Sequence, residues 1–256
     1  MIKSMAIAVG AALALAAAPP AIASGERARN IVLVHGAFAD GSGWRAVYEE
    51  LTKRGYKVTI VQNPLTSLDD DVAATRRALA RQDGPSILVG HSYGGTVITQ
   101  AGDDPKVSAL VYVAAFAPDV GKSTLDQYAE IPPPQNFQPD VQPDGFAFLK
   151  ADTFKAAFAG DTSDEDVRFL QDSQVPVAMK ALEAKVSVAA WRAKPSWYVV
   201  ATEDGAIAPG LLRSTARRIG AKTTEVKGSH VVFLTQPKAV ADVIEQAAKG
   251  AVDPAR

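Results

Sequence analysis

The sequence predicts an α/β fold in which a doubly wound, mostly parallel six-stranded sheet carries an inserted helical cap. Short runs rich in Val, Ile and Leu, such as those at 30–34 and 107–114, alternate with longer segments of helical periodicity. This alternation is typical of a parallel sheet with helices on both faces. It stops at about residue 118 and resumes at about residue 187. We therefore expect a core formed by residues 24–117 and 187–256, with residues 118–186 inserted as the cap.

Six segments outside the insertion have the pattern of strands, and five have that of helices. The predicted strands are 30–34, 57–62, 87–89, 107–114, 196–200 and 223–226. The predicted helices are 44–54, 67–82, 96–101, 209–218 and a last one that begins at Pro237. Within the insertion, prolines and several phenylalanines surround two short helices expected from about residue 162 and at 178–185. We expect this segment to cover the serine of the motif described below.

The first 23 residues have the features of a secretory signal peptide. Lys3 is followed by an apolar stretch at 7–18, and Ala21-Ile22-Ala23 gives the small-x-small pattern of a cleavage site. The stretch is too short and too weakly apolar for a convincing transmembrane helix, although an uncleaved anchor is the alternative. Since no Arg-Arg pair precedes it, we expect Sec-type export. The mature protein would then be periplasmic or secreted, with no stable membrane association.

Composition excludes several classes of function. The chain has no cysteine, which excludes disulfides, thiolate metal sites and a cysteine nucleophile. Its formal charge of −1, which becomes −2 without Lys3, offers no basic surface for nucleic acid. Nothing in the sequence indicates the oligomeric state. We therefore expect a small-molecule ligand rather than a nucleic-acid partner.

Residues 90–94, Gly-His-Ser-Tyr-Gly, match the pattern G-x-S-x-G. In this motif a serine occupies a strained turn between a strand and a helix, which lifts its hydroxyl clear of the sheet. The neighbours two positions before and after must be small for the turn to close. Here a predicted strand precedes the motif and a predicted helix follows it, so the context fits. Ser92 is therefore the candidate nucleophile.

A serine nucleophile needs a histidine base, and the base needs an acid that fixes its tautomer. Of the three histidines, His35 belongs to a glycine-containing loop after the first strand and His91 lies inside the motif. His230 is left, on a loop after the last strand. The acid is expected after the penultimate strand, where Asp204 fits and the neighbouring Glu203 stays open. The loop at 35–43 has the glycines that would let backbone amides form an oxyanion hole.

These segments resemble the α/β-hydrolase superfamily, and within it the small esterases that include plant methyl esterases and hydroxynitrile lyases. The resemblance is carried by His-Gly-Ala-Phe at 35–38, the serine motif, Thr-Glu-Asp-Gly at 202–205 and Gly-Ser-His-Val at 228–231. It implies the α/β-hydrolase fold, a triad of Ser92, His230 and Asp204, and an oxyanion hole from the amides of Ala37 and Tyr93. It implies no metal and no organic cofactor.

Two positions differ from the hydroxynitrile lyases of this group. Those lyases have a lysine directly after the catalytic histidine and a threonine after the oxyanion-loop histidine. Here the two residues are Val231 and Gly36. Both differences favour hydrolysis of carboxylic esters. The alternative is a non-hydrolytic use of the fold, as a small-molecule receptor or a cofactor-free lyase or oxygenase.

The substrate pocket is expected to be apolar. Phe38 follows the expected oxyanion residue Ala37, Val231 follows the expected base, and the cap contributes several phenylalanines. We therefore expect Phe38 and Val231 to contact an ester of small to medium size.

Overall fold

A computed structural model describes residues 28–251. The predicted signal peptide lies outside the described residues. Within them, no helix combines the length and the apolar character that crossing a membrane requires.

The centre of the molecule is the predicted six-stranded sheet. Its strands are β1 (Asn30–Val34), β2 (Lys57–Val61), β3 (Ser86–His91), β4 (Val107–Val113), β8 (Ser196–Ala201) and β9 (Lys222–Val226). They lie in the order β2-β1-β3-β4-β8-β9. All neighbouring pairs are parallel. The predicted α/β-hydrolase sheet is thus confirmed, and it is parallel throughout rather than mostly so.

Helices connect the strands and cover the sheet. They are α1 (Arg45–Lys53), α2 (Leu68–Ala80), α3 (Gly94–Ala101), α8 (Pro209–Arg218), α9 (Val232–Thr235) and α10 (Pro237–Gly250). From β1 the chain passes through α1 to β2, on one side of β1. It then returns through α2 to β3, on the other side of β1. Because such crossovers are right-handed, the two helices lie on opposite faces. α1 packs against α10, and α2 packs against α3.

The segment between β4 and β8 is the cap. It contains α4 (Thr124–Glu130), β5 (Pro139–Val141), β6 (Phe146–Leu149), α5 (Ala151–Phe158), α6 (Asp164–Asp172), β7 (Val177–Ala178) and α7 (Met179–Glu183).

The cap has the helices that the sequence predicted, but it also contains an antiparallel sheet of three strands, β5, β6 and β7, which the sequence did not predict. Two local features explain the strands. In β6 the buried side chains alternate with less buried ones, which is the period of a strand. Gly145, with φ of +83°, supplies the left-handed residue of the preceding turn.

The sheet brings distant loops to one edge. Since parallel strands end at the same edge, the residues after β1, β3, β8 and β9 are neighbours in space. Each of β1, β3 and β8 is buried along its whole length. The loops at that edge are therefore held on a rigid base.

Candidate active site

Ser92 occupies the sharp turn between β3 and α3. Its φ of +52° is in the left-handed region, which a residue with a side chain adopts only under strain. Gly94 allows the close approach of α3 to the sheet, because a Cβ there would lie 2.7 Å from the carbonyl oxygens of Val34 and His35. The motif therefore has the strand–turn–helix context that the sequence predicted.

Ser92, His230 and Asp204 form a continuous hydrogen-bonded chain. The Oγ of Ser92 lies 2.9 Å from Nε2 of His230. The Nδ1 of His230 lies 2.8 Å from Oδ2 of Asp204. Since a carboxylate only accepts, Nδ1 carries a proton and donates a hydrogen bond to Asp204. Nε2 is therefore free to accept a hydrogen bond from the Ser92 hydroxyl. All three residues are buried.

Asp204 is held by the turn that follows it. Its Oδ1 accepts hydrogen bonds of 2.8 Å from the amides of Ala206 and Ile207, so both carboxylate oxygens are engaged. Glu203, the alternative acid, has a side chain 52% exposed and lies 3.6 Å from the ammonium of Lys227. The structure thus brings Asp204 to His230 and leaves Glu203 at the surface.

His91 packs directly behind the candidate base. Its ring centroid lies 4.6 Å from that of His230. Its Nε2 donates to the backbone carbonyl of His230 at 3.0 Å, which leaves Nδ1 unprotonated and without a partner among the described residues. Burial lowers the pKa of His91 well below its ordinary value. His91 is therefore a neutral packing partner of His230, and among the described residues the Ser92 hydroxyl bonds to His230 rather than to His91.

The loop after β1 is fixed by His35 and Asn63. Nε2 of His35 accepts from the Asn63 amide at 2.9 Å, and the side-chain amide of Asn63 donates to the His35 carbonyl at 3.0 Å. Burial lowers the pKa of His35, so the ring is neutral. Nδ1 then donates to the carbonyl of Gly36 at 2.9 Å. This network orders the backbone that leads into Ala37.

Ala37 and Tyr93 both line the cavity at Ser92. Within residues 28–251, the backbone amide of neither residue donates a hydrogen bond. Two amides beside a serine hydroxyl, with no acceptor of their own, are what a developing oxyanion requires.

Sequence reasoning missed a buried carboxylate beneath this turn. Oδ2 of Asp71, on α2, accepts from the Tyr93 hydroxyl at 2.8 Å, and Oδ1 accepts from the Leu65 amide at 2.8 Å. Helical spacing could have indicated it, because Asp71 shares the buried face of α2 with Leu68, Val72, Thr75 and Leu79.

The cavity that opens on Ser92, called the main cavity below, has a volume of about 210 Å³. No charged residue lines it. Apart from Ser92, Ala37, Tyr93 and Thr124, its walls are formed by Phe38, Phe116, Leu125, Tyr128, Pro133, Phe137, Pro139, Met179 and Leu182. Phe38 therefore lines the cavity that the sequence predicted, but Val231 does not. Val231 lines a second, smaller pocket.

Of the cap phenylalanines, only Phe137 reaches the main cavity, and Phe158 lines the smaller pocket. In the described part of the chain, no cluster of three or more His, Asp or Glu side chains could hold a metal ion.

Two curated relatives are similar to part of the chain. A carbendazim-hydrolyzing esterase from Nocardioides is 32% identical over 120 residues, which covers 41% of this chain and 50% of that protein. Methylesterase 3 from Arabidopsis thaliana is 32% identical over 114 residues, which covers 38% of this chain and 43% of that protein. The matched region thus spans half or less of these two relatives.

Solved structures extend the likeness to most of the chain. An extracellular alpha/beta-hydrolase from Paenibacillus superposes with a TM-score of 0.72 at 22% identity, covering 85% of this chain and 98% of that one. At that identity the likeness establishes the fold alone. The model of the alpha/beta hydrolase family matches residues 31–243, and the chain therefore belongs to this family.

Proposed function

We propose that this protein is a serine-dependent hydrolase of carboxylic esters with small to medium apolar groups. The observation that carries the proposal is the hydrogen-bonded chain of Ser92, His230 and Asp204 at the mouth of an uncharged cavity. The relatives named as an esterase and a methylesterase support the same reaction class.

In the first half of the reaction, the Ser92 oxygen attacks the ester carbonyl carbon while Nε2 of His230 accepts the hydroxyl proton. The carbonyl oxygen becomes an oxyanion, which the amides of Ala37 and Tyr93 would stabilise. The tetrahedral intermediate collapses, the carbon–oxygen bond to the alcohol breaks, and His230 returns its proton to the leaving alkoxide. The products are an alcohol and an acyl group bound to Ser92.

In the second half, water attacks the acyl carbon and gives a proton to His230. The acid is released when the proton returns to the Ser92 oxygen, which restores the starting state. Asp204 stabilises the imidazolium in both halves and takes no proton from it, because its two oxygens already accept three hydrogen bonds.

Hydrolysis is favoured over lyase chemistry by Gly36 and Val231. A Cβ on Gly36 would lie 2.7 Å from Cβ of Ser92, so a threonine there does not fit this backbone. Val231 offers no cation beside His230 to receive a leaving anion.

The test is a series of p-nitrophenyl esters from acetate to laurate, beside an anionic half-ester. We expect kcat/KM to rise with apolar area until the cavity is full, by up to about fourfold per methylene. The anionic ester should be a poor substrate, because no cation lines the cavity. A flat series or a preference for the half-ester would contradict the apolar assignment.

Export is a separate part of the proposal. The pattern at residues 1–23 supports cleavage after Ala23 and a periplasmic or secreted enzyme. N-terminal sequencing of protein from the native host should find Ser24, or the next residue, at the start of the mature chain. Recovery of Met1 from the cell envelope would contradict cleavage.

A further inference from the structure

Phe38 is the one residue that lines both the main cavity and the smaller pocket mentioned above. We call the smaller one the rear pocket; it has a volume of about 20 Å³, and Ala39, Phe158, Leu170, Val231 and Phe233 are among its walls. The ring of Phe38 is buried and stands edge-on to Phe137, with centroids 6.3 Å apart. Phe38 therefore lies between the two spaces.

The rear pocket lies close to the reacting groups. The ring of Phe158 packs on His230 with centroids 4.9 Å apart, and Val231 follows His230 in the chain. Phe233 packs on His91, with centroids 4.5 Å apart. A substrate arm in the rear pocket would thus lie beside the base, on the far side of Phe38 from the main cavity.

The rear pocket continues to the surface. It shares Ser42, Gly43, Leu170 and Leu234 with an outer groove of about 500 Å³. The groove is also lined by Asp161, Thr162, Ser163, Asp166, Phe169 and Thr235. The rear pocket is mostly apolar, although Asp40, Ser42 and Ser173 also line it, and the outer groove is more polar. The rear pocket is the smallest space on this route, at about 20 Å³.

We infer that the rear pocket and outer groove form a second binding channel for an apolar arm of an ester, and that Phe38 is the specificity-determining residue that closes it. The inference rests on the proposed ester hydrolysis. Long acyl chains, which exceed the main cavity, are the substrate class that would use the channel once Phe38 moves or is shortened. The backbone of Phe38 is in the left-handed region, with φ of +62°, and its side chain is buried between the two spaces.

The first test compares wild type with Phe38→Ala across p-nitrophenyl esters from acetate to laurate. Removing the ring joins the two spaces, so the optimum should move to longer chains by at least two methylenes. Because each buried methylene is worth about fourfold, two of them should raise laurate turnover relative to acetate about sixteenfold. Phe38→Leu should give a smaller shift in the same direction.

The second test closes the channel from the other side. Leu170 is half-buried, lines the rear pocket and outer groove, and is absent from the main cavity. The indole of Leu170→Trp should fill the rear pocket and abolish the gain that Phe38→Ala brings. Phe137→Ala is the matched control, because it enlarges the main cavity only. Any gain in long-chain turnover that it brings should therefore survive the addition of Leu170→Trp.

Two outcomes would overturn the channel while leaving ester hydrolysis intact. One is an unchanged chain-length profile in a folded Phe38→Ala variant that still hydrolyses acetate. The other is a rise in long-chain turnover in Phe38→Ala that persists when Leu170→Trp is added.

If the wild type hydrolyses no ester, the proposed function fails. The channel can then still be tested by measuring the binding of decyl 4-nitrophenyl ether. Phe38→Ala should then bind this uncleavable probe about tenfold more tightly, and Leu170→Trp should remove the difference. Equal affinities would reject the channel.

Discussion

The hydroxyl of Tyr93 donates a 2.8 Å hydrogen bond to the carboxylate of Asp71, which links the turn that carries Ser92 to the buried face of α2. The second oxygen of Asp71 holds the amide of Leu65, a residue with φ of +58°. Asp71 therefore connects two segments with left-handed backbone, the loop at Leu65 before β3 and the turn at Ser92 directly after it. It also fixes Tyr93, the residue whose amide would stabilise the oxyanion.

Burial of Asp71 predicts a specific dependence of stability on pH. Desolvation raises the pKa of its carboxyl from 3.8 to about 6 in the folded protein, against the hydrogen bonds from Tyr93 and Leu65. Between these values the folded state binds more protons than the unfolded state. The contribution of Asp71 to stability is therefore full below about pH 4 and is lost as the pH rises through 6.

The variant Asp71→Asn removes the titration of Asp71 and keeps those of His35 and His91. The difference between variant and wild type therefore reports Asp71 alone. Relative to wild type, its free energy of unfolding should increase between pH 4 and pH 7, by as much as about 3 kcal/mol. Urea unfolding of both proteins at the two pH values measures the difference. A difference that does not change with pH would show that Asp71 is not desolvated in the folded protein.

The assignment of the acid predicts unequal effects at neighbouring positions. Asp204→Asn should lower kcat by about 10³- to 10⁴-fold, because an amide does not fix the tautomer of His230 or stabilise its cation. Glu203→Gln is the matched control, since that side chain is exposed and pairs only with Lys227. Steady-state kinetics on a short-chain ester compare the two variants. A larger loss in the Glu203 variant would exchange their roles.

The contact of Gly36 with Ser92 predicts that a single methyl group impairs the site. In Gly36→Ala the new Cβ would lie 2.7 Å from Cβ of Ser92, so the loop or the serine must move. We expect kcat to fall at least tenfold while thermal unfolding stays cooperative. Gly84→Ala is the control, because its nearest contact would be an ordinary 3.7 Å. Equal activity in both variants would mean that the loop adapts freely.

Local patterns were sufficient to predict the sheet and the three loops, after β3, β8 and β9, that carry the candidate triad. The strands could be located because their apolar runs are short and continuous, and parallel pairing then brings their ends together. Chain order and the strand-turn-helix context gave Ser92 and His230 without any knowledge of packing. For the acid they left Glu203 open beside Asp204, and the family resemblance implied Asp204.

Features that depend on packing between distant segments escaped prediction. Asp71 lies 22 residues before Tyr93, and their contact depends on how α2 packs against α3. The strands of the cap are only two to four residues long, too short for a clear alternating pattern. Phe38 lines both pockets whereas Val231 lines only the smaller one, and this difference depends on how the loops after β1 and β9 pack together.

The central claim, that Ser92 is the nucleophile of an ester hydrolase, is tested most directly by covalent labelling. The protein should react with a fluorophosphonate, and peptide mass spectrometry should find the adduct on Ser92. Ser92→Ala should lose both the label and ester turnover while keeping its fold, whereas Ser214→Ala, which lines neither cavity, should keep both. A label on another residue, or turnover within tenfold of wild type in a folded Ser92→Ala protein, would contradict the account.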